Sequence, residues 1–108
     1  MTHETSNATA EVLEDITPWE KDGFSLHTRV LNDQGLHARP AARLAQEAQK
    51  FVCAIEMAIN DTVVDAKSIL DILTLAAGQG CELELRAKGP DAREALIRLG
   101  TLFRNRFR

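Results

Sequence analysis

The chain has no tyrosine, one tryptophan and two cysteines, and its 108 residues carry a formal net charge of only -3. Cys53 and Cys81 stand far apart without a CxxC spacing, which argues against a zinc site or a disulfide framework and leaves both as small core residues. The near balance of charge leaves no broad cationic surface for nucleic acid or an anionic membrane, so partners must be met by local patches. No stretch approaches the roughly 20 apolar residues that span a bilayer, and nothing near Met1 joins a basic start to an apolar run, so a cytoplasmic protein is expected. His3 and His27 have no neighbouring ligand set and are read as solvent-facing; neither a metal nor a cofactor is expected.

What is present suffices for one core, since hydrophobic residues make up 44% of the chain. Residues 1–22 show at most a weak helical stripe of Val12, Leu13, Ile16 and Trp19, and read as an extension that is either flexible or docked through Trp19. Residues 23–108 read as the folded domain. Phe24, Leu26, Thr28 and Val30 alternate with polar neighbours as a half-buried strand does, and Asn32, Asp33 and Gly35 break it. Ala41, Leu44, Ala45 and Ala48 form one stripe of a helix running to about Lys50, whose first turn must hold Pro40, so it begins close to His37.

Cys53, Ile55, Met57 and Ile59 then alternate, with a turn at Asn60 and Asp61 into Thr62, Val63 and Val64. Ser68 and Asp71 have the spacing of a capping box for a short helix that Gly78 and Gly80 would end. Cys81, Leu83, Leu85 and Ala87 pattern a last strand, and a final helix opening at Asp91 carries Leu96, Leu99, Leu102 and Phe103 on one side, with Arg104, Arg106 and Arg108 balancing its C-terminal end. The expected fold class is α+β: an open-faced sandwich of a four-stranded antiparallel sheet with three helices on one face, in the order β-α-β-β-α-β-α.

The run Gly35-Leu36-His37-Ala38-Arg39-Pro40-Ala41-Ala42 sets an imidazole at the mouth of a helix, directly after a glycine loop and beside an arginine. A helix start offers unpaired N–H donors and the positive end of the dipole, and Arg39 adds a planar donor fork, so a phosphoryl group on His37 would meet ready partners. Imidazole near neutral pH is largely uncharged and nucleophilic, which suits a relay. Against this stands the plainer reading of His37 as a solvated cap.

That run resembles the active-site signature of the HPr family, the histidine-containing phosphocarriers of the bacterial phosphoenolpyruvate-dependent sugar phosphotransferase system. The stretch Lys67-Ser68-Ile69-Leu70-Asp71-Ile72-Leu73-Thr74-Leu75 also resembles that family at its usual spacing, and the resemblance extends from about Phe24 to Phe107. It implies that His37 accepts a phosphoryl group on Nδ1 from enzyme I and passes it to enzyme II A domains, with Arg39 stabilising the phosphate. It further implies a regulatory serine at Ser68, addressed by an HPr serine kinase, and a docking face of Ile69, Leu70, Leu73, Arg43 and Lys67, with Leu70 lying beside His37. Gln46, Gln49 and Asp71 stand where some relatives carry lysine, so the basic rim is thinner here.

Two other roles within the same fold are a nitrogen-related carrier and a regulatory module controlled through Ser68. A small-molecule sensor is a further reading, one that would be indifferent to His37→Ala. Size and the need for His37 to face successive partners favour a monomer.

Overall fold

The computed structural model describes residues 3–108, with side chains described from Thr9 onward, so the His3 side chain lies outside the described residues. The elements run α1 His3–Asp15, β1 Ile16–Trp19, β2 Gly23–Arg29, α2 Ala38–Ala48, β3 Ala54–Ile59, β4 Thr62–Asp65, α3 Ile69–Thr74, β5 Glu82–Lys88 and α4 Ala92–Arg104. The strands lie in the order β1-β2-β5-β3-β4, each neighbouring pair antiparallel.

The α+β class and the antiparallel sheet agree with the expectation, but the sheet has five strands instead of four, and four helices accompany it instead of three. Both additions come from the segment before Gly23. Ile16 to Trp19 pair with Leu26 to Gly23 across a tight turn in which Glu20 takes a left-handed φ of 52°. A strand of four residues containing Pro18 is too short to show an alternating pattern, and proline is tolerated there because β1 is an edge.

Register places Leu26, Leu85 and Met57 in one row across the sheet, all buried beneath the helices. The opposite, open face is polar. There Arg86 bridges Glu84 at 2.8 Å and Glu56 at 3.3 Å, and its guanidinium lies over the Trp19 ring at 5.4 Å. Burial alone would raise the Glu84 carboxyl, but the hydrogen bond and charge of Arg86 outweigh it and hold that group below its usual range. Trp19 is thus docked, through a cation–π contact.

On the helical side, α1 packs on α4. Val12 is 2% exposed and fits a notch made by Gly100, where a Cβ would come within 2.5 Å of Leu26 and 2.8 Å of Val12. Arg104 meets Glu11 at 2.8 Å across the same contact, a surface pair that adds little beside the apolar burial. Asp91 precedes α4 but does not cap it. Its carboxylate instead accepts from the Val52 and Cys53 amides at 2.8 Å each, tying the approach to β3 onto the start of α4, and these bonds hold its carboxyl below the usual value.

Removing the Val12 side chain tests whether the extension is part of the core. Val12→Ala is expected to destabilise the protein by roughly 2 kcal/mol in urea unfolding, from lost transfer energy plus a small cavity. A wild-type midpoint would mean that α1 contributes nothing to the core.

Candidate functional site

The loop between β2 and α2 is held at its start by two bonds on Val30. Val30 donates to the Cys81 carbonyl at 2.9 Å, and Gly80 donates to Val30 at 2.8 Å. Its turn closes where the Gly35 amide donates to the Asn32 carbonyl at 3.0 Å. Gly35 has a φ of +69°, and a Cβ there would run into the Ala77 carbonyl oxygen and lie 2.8 Å from the Gly78 Cα. This is a position for glycine on two counts, conformation and space.

Leu36 follows, 4% exposed, with its amide donating to that same Ala77 carbonyl at 2.8 Å. Anchoring Leu36 inward turns the next residue outward. His37 is exposed, with the extended φ of -76° and ψ of -169° of an N-cap residue, yet its side chain makes no capping bond. Its position is that of the solvated cap in the plainer reading, and its ring is left without a partner among the described residues. Its carbonyl does start the helix, accepting from the Ala41 amide at 3.0 Å. Pro40 has no N–H, so the amides at the start of α2 without an intrahelical acceptor are those of Ala38 and Arg39.

Arg39 is exposed, and Arg43 follows four residues later on the same side of α2. Arg43 is half-buried and donates to the Phe107 carbonyl at 3.4 Å, a contact with the end of the chain that no sequence pattern signalled.

Ser68 caps α3 as expected, its Oγ accepting from the Asp71 amide at 3.2 Å. The reciprocal half of the capping box is absent. The Asp71 carboxylate accepts from the Asp65 amide at 3.3 Å, while the Ser68 amide is taken by the Asp65 carbonyl at 3.1 Å. The helix also ends sooner than the glycines suggested, at Thr74, because Ala76 turns left-handed with a φ of 49°.

α2 and α3 run antiparallel. Leu36, just before α2, meets Ala77 beyond the end of α3, whereas Gln49, just after α2, donates to the Lys67 carbonyl at 2.8 Å before the start of α3. His37 and Ser68 consequently sit near opposite ends of the 11-residue α2, about 16 Å of helix apart. Leu70 is 75% exposed, as its position off the buried stripe implies, while Ile69 and Leu73 are each 37% exposed. Ile69 and Leu70 form the first turn of the six-residue α3, directly after Ser68. Lys67 is half-buried, and its ammonium donates to the Phe51 carbonyl at 2.7 Å, which holds the turn after α2.

Cys53 does not compete as a nucleophile. It is buried, and that burial, reinforced by Asp91, pushes its thiol up to about 12. Cys81 is half-buried. Among the described residues no group of three or more His, Cys, Asp and Glu side chains is placed to hold a metal ion.

The family described as PTS HPr component phosphorylation site matches residues 25–105. The phosphocarrier protein HPr of Treponema pallidum (strain Nichols) is 50% identical over 80 residues, which cover 73% of this chain and 90% of that protein. Its counterpart of the same name from Cupriavidus necator is 46% identical over 80 residues, covering 74% and 90%. The crystal structure of HPr-C-His from Thermoanaerobacter tengcongensis has a TM-score of 0.75 at 38% identity, covering 77% of this chain and 93% of that one. Sheet, helices and likeness together define a phosphocarrier, a protein that conveys phosphoryl groups without being an enzyme. The chain belongs to the HPr family, the phosphocarriers of the phosphotransferase system. The helix α1 and the strand β1 precede the matched residues.

The Gly35 clamp has a direct test. Gly35→Ala must hold alanine at a left-handed φ and press its Cβ on Ala77, so it should lose more than about 1 kcal/mol of stability in urea unfolding. Unchanged stability would show that the loop does not depend on this close approach.

Proposed function

We propose that His37 carries the phosphoryl group, receiving it from phosphorylated enzyme I and passing it to enzyme II A domains in sugar uptake. The observation that supports this most is the placement of an exposed imidazole, free of any capping bond, at the start of α2 beside two amides without intrahelical acceptors.

The transfer needs no acid or base from the chain. The lone pair of the neutral imidazole attacks phosphorus in line, a P–N bond forms at Nδ1, and the bond to the donor breaks as its electrons return to the donor. The amides of Ala38 and Arg39 would meet the phosphoryl oxygens at the helix mouth, and the exposed Arg39 guanidinium, two residues on from His37, would add a donor fork. Their help is modest and equally available on leaving, which suits a carrier that must both accept and release. The enzyme I and enzyme II A surfaces supply the rest of the charge stabilisation.

Docking in this reading uses the exposed apolar residues Ile69, Leu70 and Leu73 of α3 together with Arg39 and Arg43. The protein acts as a cytoplasmic monomer, so that one face can meet successive partners. Ser68 is the site for regulation by a serine kinase. A phosphate on its Oγ would stand against the carboxylates of Asp65 and Asp71, whose bonds already surround the cap, so modification would loosen the start of α3 through like-charge repulsion. That perturbs the docking face a helix length from His37 and leaves the histidine untouched.

Incubation with phosphoenolpyruvate and cognate enzyme I should add one phosphoryl mass to the wild type and none to His37→Ala, and the adduct should be acid-labile. An adduct of equal yield on His37→Ala, or none on the wild type with an active enzyme I, would contradict the assignment.

A further inference from the structure

The end of the chain is built in a way that burial and helix energetics do not explain. α4 closes in a Schellman turn: the Arg106 amide donates to the Phe103 carbonyl at 3.1 Å, the Phe107 amide reaches back to the Leu102 carbonyl at 2.8 Å, and the Phe107 ring packs edge-on against Phe103 at 5.0 Å. Such a turn normally puts glycine at its left-handed position. Here Arg106 occupies it with a φ of 56°, and Phe107 follows at 60°. An exposed arginine held in a conformation that disfavours it calls for a role beyond the turn.

The turn is fastened to the His37 region at two points. Asn32, which forms the turn before His37, donates to the Arg106 carbonyl at 3.5 Å, and Arg43 on the Arg39 side of α2 donates to the Phe107 carbonyl at 3.4 Å. Arg106 and Arg108 are exposed and lack an ion-pair partner among the described residues, whereas Arg29, Arg86, Arg98 and Arg104 each meet a carboxylate. Helix balance does not require them, because Arg104 already stands in the last turn of α4 and the dipole effect fades beyond it.

We infer that residues 105–108 form a docking element for the protein that delivers the phosphoryl group, with Arg106 and Arg108 meeting acidic side chains around that donor's phosphorylated residue. This rests on the reading of His37 as the acceptor. Together with Arg39 and Arg43, the two arginines make a cationic rim on a chain whose net charge is -3, and such a local field speeds the approach of an acidic surface.

The test is phosphoryl transfer from phosphorylated enzyme I, followed by intact mass over a range of donor and salt concentrations. Arg106→Glu with Arg108→Glu should lower kcat/KM about tenfold at low salt, through KM, and the deficit should shrink as salt screens the rim. Arg106→Gly removes the charge and relieves the backbone, so it should lose several-fold in kcat/KM while its thermal midpoint stays level or rises. Wild-type KM and salt dependence in both variants, with transfer intact, would overturn the docking role alone. Absence of an adduct on the wild type would instead overturn the acceptor reading and this proposal with it.

Discussion

One carbonyl group organises the presentation of His37. The oxygen of Ala77 accepts the Leu36 amide and packs against the hydrogen of Gly35, so the loop before α2 is pressed onto the chain that follows α3. Because Leu36 is driven inward at this point, His37 is turned outward, and because the backbone is still extended there, the helix begins one residue later. A bulkier residue at 35 would lift the loop. Loss of the Leu36 anchor would leave the histidine free to swing away from the amides at the helix mouth. The exposure of the imidazole is thus a consequence of a buried contact two residues away.

The same arrangement sets the two ends of α2 apart. His37 precedes its first turn, while beyond its last turn Gln49 and Lys67 tie α2 to the entry of α3, where Ser68 sits. Antiparallel packing of the two helices thus holds His37 and Ser68 about a helix length apart. In the proposed relay, a charge added at Ser68 acts through partner docking and not by direct contact with His37. The open face of the sheet is held by a different set of contacts. Its Arg86 is fully engaged by Glu84, Glu56 and Trp19, which secures β1 to the sheet.

Much of this was legible in the order of residues. Strict alternation in Glu82–Lys88 and the alanine and leucine stripe of Ala38–Ala48 mark strand and helix because each has one buried face, and the run around His37 that resembles the family signature points to the proposed site. The first strand escaped because four residues with a proline carry no period, and α1 because Val12 is buried against Gly100, a residue whose lack of a side chain leaves no mark in a hydrophobic pattern. The bond made by Lys67 was hidden for a different reason. A lysine in a loop reads as solvated, and only the fold shows the Phe51 carbonyl that accepts from its ammonium. The hook at Arg106 and Phe107 was equally hidden, since two left-handed residues without glycine contradict local preference.

The account stands on His37 holding a phosphoryl group against the start of α2. Nuclear magnetic resonance of the nitrogen-15-labelled protein before and after phosphorylation addresses this directly. The account predicts phosphorus–nitrogen coupling at Nδ1 of His37 and the largest amide shifts at Ala38 and Arg39. Coupling at His3 or His27, or a helix start whose amides do not respond, would contradict it.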